Sequence, residues 1–118
     1  MLQSYKDLIV WQKGIDLCVR LYKVTDSFPK SETYGLTSQM RRSCVAIPSN
    51  IAEGQRRAYK TEYIQFLRIA YGSGAELETQ LIIALKIKLL PQRHYDELHG
   101  ILEEVMKMLN RLIQVMHK

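Results

Sequence analysis

Only two of the 118 residues are cysteine, Cys18 and Cys44, too few for a disulfide framework. Both sit in apolar runs, where reduced thiols pack as small hydrophobes. The expected compartment is therefore reducing and the expected location cytoplasmic. Long hydrophobic runs are also missing: the longest, Leu81 to Leu85, has five residues against the ~20 of a membrane span. No charged-then-apolar leader with a small-residue cleavage site is visible, so the expectation is a soluble chain with no membrane partner. With three prolines and six glycines, no glycine-rich phosphate loop, internal repeat or low-complexity tract occurs.

What remains is helical pattern. A chain of this length makes one domain, 1–118, and 47% hydrophobic residues can build a core without staples. Helix 1, about 5–27, carries Leu8, Trp11, Ile15, Cys18, Leu21 and Tyr22 at three-four spacing, with Ser4 and Asp7 as a capping signal and Phe28-Pro29 as its end. Helix 2, about 33–54, carries Leu36, Met40, Cys44, Ile47 and Ile51. Pro48 interrupts it, removing the donor to the carbonyl of Cys44. One kinked helix is favoured over two short ones because the stripe keeps phase. Asn50, Gln39 and Arg42 are the candidates to satisfy that carbonyl; the functional alternative is that Asn50 and Glu53 form a ligand site.

Helix 3, about 61–90, carries Tyr63, Phe66, Leu67, Ala70, Gly74, Leu77, Leu81, Ala84 and Leu85. Gly72-Ser73-Gly74 marks either a close approach of another helix backbone or a break, each glycine costing about 1 kcal/mol relative to alanine. Helix 4, about 93–117, is the most regular: Tyr95, Leu98, Leu102, Val105, Leu109, Leu112 and Met116, closed by His117-Lys118. The economical architecture is all-α, an antiparallel up-down four-helix bundle with a proline-kinked second helix. Second apolar rows, Ile64, Ile69, Ile83, Ile87 and Leu90 in helix 3 and Ile101, Met108 and Val115 in helix 4, point to self-association. The alternative is that a bundle core takes wide stripes.

Charge is uneven. Residues 1–60 hold ten Lys+Arg against five Asp+Glu, and residues 61–118 seven of each, so the net +5 comes from the first half. Arg41, Arg42, Arg56, Arg57 and Lys60 form the densest basic group, a candidate nucleic-acid surface or an ordinary solvated face. Arg42 pairing with Glu53 is one way the group becomes unavailable. Catalysis finds little support: no nucleophile sits on a strand-turn-helix elbow, and Glu76 and Glu78, two apart, point to different helix faces. Asp96-x-x-His99 lacks the second ligand pair of a di-metal bundle. No catalytic residue, metal or cofactor is expected.

Asp7-Leu8-x-x-Trp11-Gln12-Lys13, Phe28-Pro29, Tyr34-Gly35-Leu36-Thr37-x-Gln39-x-Arg41-Arg42, Ile47-Pro48-Ser49-Asn50-Ile51-Ala52-Glu53-Gly54 and Gly72-Ser73-x-x-Glu76-Leu77-Glu78-Thr79-Gln80 together resemble the four-helix-bundle family named for open reading frames in intervening sequences of bacterial 23S ribosomal RNA. Gly74 stands where that pattern usually has alanine or another small residue. The resemblance implies an up-down bundle with a proline inside helix 2 and a homo-oligomeric ring, most often a pentamer. It also implies kinship with the accessory protein of diversity-generating retroelements, a basic barrel that works with a reverse transcriptase and RNA. It implies no activity. The resulting expectation is a non-enzymatic oligomeric bundle that binds structured RNA or DNA, with a scaffold for a nucleic-acid enzyme as the alternative. Pro48, Asn50, Glu53, Gly74, Glu76, Ile83 and Met108 are expected in structural or interface roles.

Overall fold

The computed structural model describes residues 4–117, and its regular elements are all helical. The four α-helices are α1 (Ile9–Thr25), α2 (Leu36–Gln55), α3 (Lys60–Lys86) and α4 (Gln92–Met116). A 3-10 turn at Tyr5–Asp7 precedes α1 and another at Lys30–Glu32 precedes α2. Helix α2 packs on α1 and α3, α4 packs on the same two, and the diagonal pairs do not meet, which makes a four-helix bundle. At 1.5 Å per residue α3 is about 40 Å long, close to the 43 Å long axis of the molecule.

Helix α1 starts later than its spacing predicts. Ser4 caps the short first turn by accepting from the Lys6 N–H, and extended Leu8 separates that turn from Ile9. The stripe is also turned: Val10, Gly14, Leu17, Cys18, Leu21 and Thr25 are buried, while Ile15 and Tyr22 face outward. The reason is the partner helix. Pro48 of α2 lies over Gly14, its ring 3.5 Å from where a Cβ would stand, so a residue without a side chain occupies the centre of the contact. Along α4, Lys13 pairs with Glu104 at 2.7 Å and Arg20 with Glu97 at 3.0 Å, residue numbers rising on one helix as they fall on the other. These pairs are exposed and contribute little to stability.

Helix α2 runs unbroken through Pro48, so the two-helix alternative does not hold. Asn50 does not serve the carbonyl of Cys44; its Nδ2 donates to Ala46 O, four residues back, at 2.7 Å. Cys18 and Cys44 are free, buried thiols that meet across α1 and α2. The hydrogen bond with Cys18, together with burial, holds the Cys44 thiol well above the ordinary range, while the bond from Cys44 lowers Cys18 against the cost of its own burial.

Helix α3 is continuous through Gly72-Ser73-Gly74. Gly74 does mark a close approach, but what comes close is the Met106 side chain of α4 and not a helix backbone. The helix stops at Lys86, short of the expected 90. Lys88 adopts φ 66°, Leu89 N–H donates to Ala84 O and Lys88 N–H to Leu85 O; this is a Schellman ending with lysine in the position usually given to glycine. Its second apolar row divides. Ile64 and Leu90 belong to the core, while Ile69, Ile83 and Ile87 are exposed. In α4, Ile101 and Met108 lean on the core and only Val115 of that row is exposed. The main seam of α4 is as expected, with Leu98, Leu102, Val105 and Leu109 buried and Ile113 added; Lys118 lies outside the described residues.

Gly54 shows how tightly α2 and α3 fit, since a Cβ there would stand 2.7 Å from Phe66 Cβ. Gly54→Ala is expected to cost about 2 kcal/mol or more, because backbone or Phe66 must shift. Gly100, whose Cβ position meets nothing within 4 Å, is expected to gain about 0.5–1 kcal/mol as alanine from helix propensity. Urea unfolding of the two variants checks the opposite signs.

Candidate nucleic-acid interface

Helix α2 carries Arg41 and Arg42 on adjacent positions, and the two have different neighbours. Arg41 is tied down. Its Nε donates to Thr25 Oγ1 at 3.0 Å and its Nη2 to Tyr22 O at 3.4 Å, its guanidinium lies 4.4 Å from the centre of the Tyr22 ring, and Asp26 stands 3.9 Å away. Thr25 in turn donates to Leu21 O, so Arg41 locks the end of α1 onto α2. Arg42 is exposed and, among the described residues, has no hydrogen bond, ion pair or ring contact. In particular it does not pair with Glu53, which takes Arg57 instead at 2.9 Å.

The two arginines line one open groove of about 510 Å³ between the end of α1, the segment before α2, and α2 itself, together with Tyr22, Thr33, Tyr34 and Ser38. Tyr34 is 95% exposed, so its ring is a free stacking face beside two cations. Hydroxyls from Thr33 and Ser38 add neutral donors. The groove therefore offers a charge that no internal anion has claimed, an aromatic plane and short polar side chains.

Arg56, Arg57 and Lys60 stand elsewhere. Fourteen residues of helix separate Arg42 from Arg56, about 20 Å, so the five basic residues do not make one patch. Arg56 ends α2 exposed and without a partner among the described residues. Arg57 is held by Glu53 and lies 4.8 Å from the centre of the Phe66 ring. Lys60 opens α3. The histidine and carboxylates weighed as ligands are engaged locally: His99 Nε2 meets Glu78 at 2.9 Å and stacks on Tyr95, while Asp96 accepts from Gln92. Among the described residues no three His, Cys, Asp or Glu side chains gather in a way that could hold a metal, and no helix is long and apolar enough to cross a membrane.

Comparison with known proteins bears on the same elements. Residues 6–111 match the family described as 23S rRNA-intervening sequence protein. The chain belongs to this family. A crystal structure of a protein with unknown function from the S23 ribosomal protein family of Bacteroides thetaiotaomicron superposes with a TM-score of 0.81 at 23% identity, covering 89% of this chain and 98% of that chain. At that identity the likeness is one of fold. No curated protein matches the chain.

Tyr22, Tyr34 and Ser38 are the groove residues that sequence reasoning missed. Tyr34 and Ser38 are near Arg41 in sequence, and the exposed Tyr-Gly pair before a helix was a usable signal. Tyr22 comes from another helix and gave none. The contrast between the two arginines is measurable. Arg41→Gln is expected to destabilise the fold by about 1–2 kcal/mol, through two lost hydrogen bonds and the ring contact, whereas Arg42→Gln stays within about 0.5 kcal/mol of the parent. Thermal and urea unfolding of both variants checks it.

Proposed function

We propose that this protein is a non-enzymatic nucleic-acid-binding bundle that holds an unpaired segment of structured RNA, or of DNA, in the groove of Arg41, Arg42, Tyr22 and Tyr34. The observation that carries the reading is Arg42: an exposed arginine without a partner among the described residues, lining a groove that also presents an exposed tyrosine. A surface guanidinium of this kind is a phosphate ligand, and base–aromatic stacking contributes about 1–3 kcal/mol per base on single strands. Arg56, on the same basic half of the chain, extends the field that steers a polyanion. Arg41 contributes charge, while its donors remain engaged.

Assembly into several copies belongs to the same proposal. Ile69, Ile83 and Ile87 are exposed on α3, and Ile9, Met108 and Val115 line an apolar groove between α1 and α4. Two different apolar faces on one subunit suit a heterologous contact, the kind that closes rings. A ring would repeat the Arg42 groove once per subunit. The same faces support the second reading, a scaffold for a nucleic-acid enzyme. Sedimentation at micromolar concentration giving only the 13.8 kDa monomer contradicts the assembly.

Anisotropy with a labelled uridine-rich RNA nonamer tests the binding. The wild type is expected to bind with log affinity falling against log salt, about 0.7 in slope for each phosphate neutralised. Arg42→Gln reduces that slope by about one phosphate per site, and Tyr34→Ala weakens binding by about 1–3 kcal/mol. Absence of binding at low salt, or a slope unchanged by Arg42→Gln, removes the groove from consideration and leaves the scaffold.

A further inference from the structure

Arg42 stands on a wall shared by two compartments. On its other side α2 and α3 face each other across a cleft of about 350 Å³ lined by Gln39, Arg42 and Ser43 from α2 and by Ser73, Glu76 and Gln80 from α3. Its polar groups lack partners. Ser43 and Ser73 are only 8% and 7% exposed, and among the described residues neither hydroxyl is bonded, unlike Thr25 and Thr79, which bond the carbonyl four residues back, so both stay open to the cleft. Gln80 Oε1 is buried without a donor. Glu76 and Arg42 pair neither with each other nor with any other described side chain. Of these polar groups only Gln80 Oε1 is sealed from solvent; Arg42 and Glu76 are exposed and stand on facing helices without closing the cleft as an ion pair.

We propose that this cleft reads one guanine base of the strand whose backbone lies in the adjoining groove, an inference that rests on the nucleic-acid reading above. The donor and acceptor set selects the base. A carboxylate such as Glu76 pairs best with an edge that presents two adjacent donors. Guanine offers N1–H and N2–H₂ side by side, whereas adenine and cytosine set one amino group beside an acceptor and uracil sets one N–H between two carbonyls. An arginine pairs best with two adjacent acceptors, and guanine has them in O6 and N7. Glu76 and Arg42, from facing helices, make complementary demands that a single guanine meets on two edges. The two serine hydroxyls suit N3 or the ribose 2′-OH. The cleft has room for a base and its sugar but not for a duplex, in keeping with recognition of unpaired bases splayed from the stack. With five donors in a planar fork, Arg42 can face the base on one side and a phosphate on the other.

The test compares a labelled U9 RNA with nonamers that carry a single central G, A or C, at fixed salt. The wild type is expected to bind the G-containing strand at least about ten-fold more tightly than U9, with A and C close to U9. Glu76→Gln, on an exposed helix position, is expected to abolish the preference for G while U9 is still bound. Ser73→Ala, checked for helicity by circular dichroism, is expected to reduce the preference in part. Salt-dependent binding of U9 with no preference for G, or a preference that survives Glu76→Gln, overturns the cleft assignment and leaves the groove standing. Failure of every strand to bind overturns the groove, and this inference with it.

Discussion

Pro48 lies in van der Waals contact with Gly14 of α1, and Gly54 lies so close to Phe66 of α3 that a Cβ there would stand 2.7 Å from Phe66 Cβ, so α2 is held closely on both sides. The consequences run through the molecule. With α1 held this close, Arg41 reaches back to Thr25 and Tyr22, and the stripe of α1 rotates to bury Val10 and Leu17 in place of Ile15. With α3 held as close, the small side chains Ser43 and Ser73 come to the floor of a cleft while Arg42 and Glu76 stay at its sides. Arg42, without a partner among the described residues, is thus placed by the close packing of α2 on its two neighbours.

Much of the fold was legible because helix packing writes itself as spacing. The seam of α4 was read correctly, Pro48 was read as interior to one helix, and the glycines of α3 were read as a packing feature. The misread stripes have one cause. In α1 and at Ile64 and Leu90, apolarity at the right spacing fitted two neighbouring stripes, and which stripe is buried depends on the partner helix, not on the helix itself. The Gly74 contact was assigned to a backbone because spacing says where a helix comes close but not which atom does. Lys88 carries no signal of a helix ending, since lysine is an uncommon residue at φ 66°.

The site was legible in part. Arg42 was named among the basic residues, but its isolation could not be seen, because isolation is a statement about every other side chain. Arg56, Arg57 and Lys60 looked like its companions because charge was counted along the chain; helix rise separates them. Glu76 is expected in a structural role, and that it lines a cleft with Gln80 and Arg42 is decided only when α2 and α3 pack.

The central claim is that nucleic acid meets this protein at Arg42 and its tyrosine-lined groove, not at the basic connection between α2 and α3. Titrating ¹⁵N-labelled protein with a short single-stranded RNA and following backbone amides and arginine Nε–H signals by NMR tests it most directly. The account predicts shifts at Arg42 Nε–H and at the amides of 33–46, with Arg57 unmoved in its pair with Glu53. Shifts confined to 55–60, or none at any RNA concentration, contradict it.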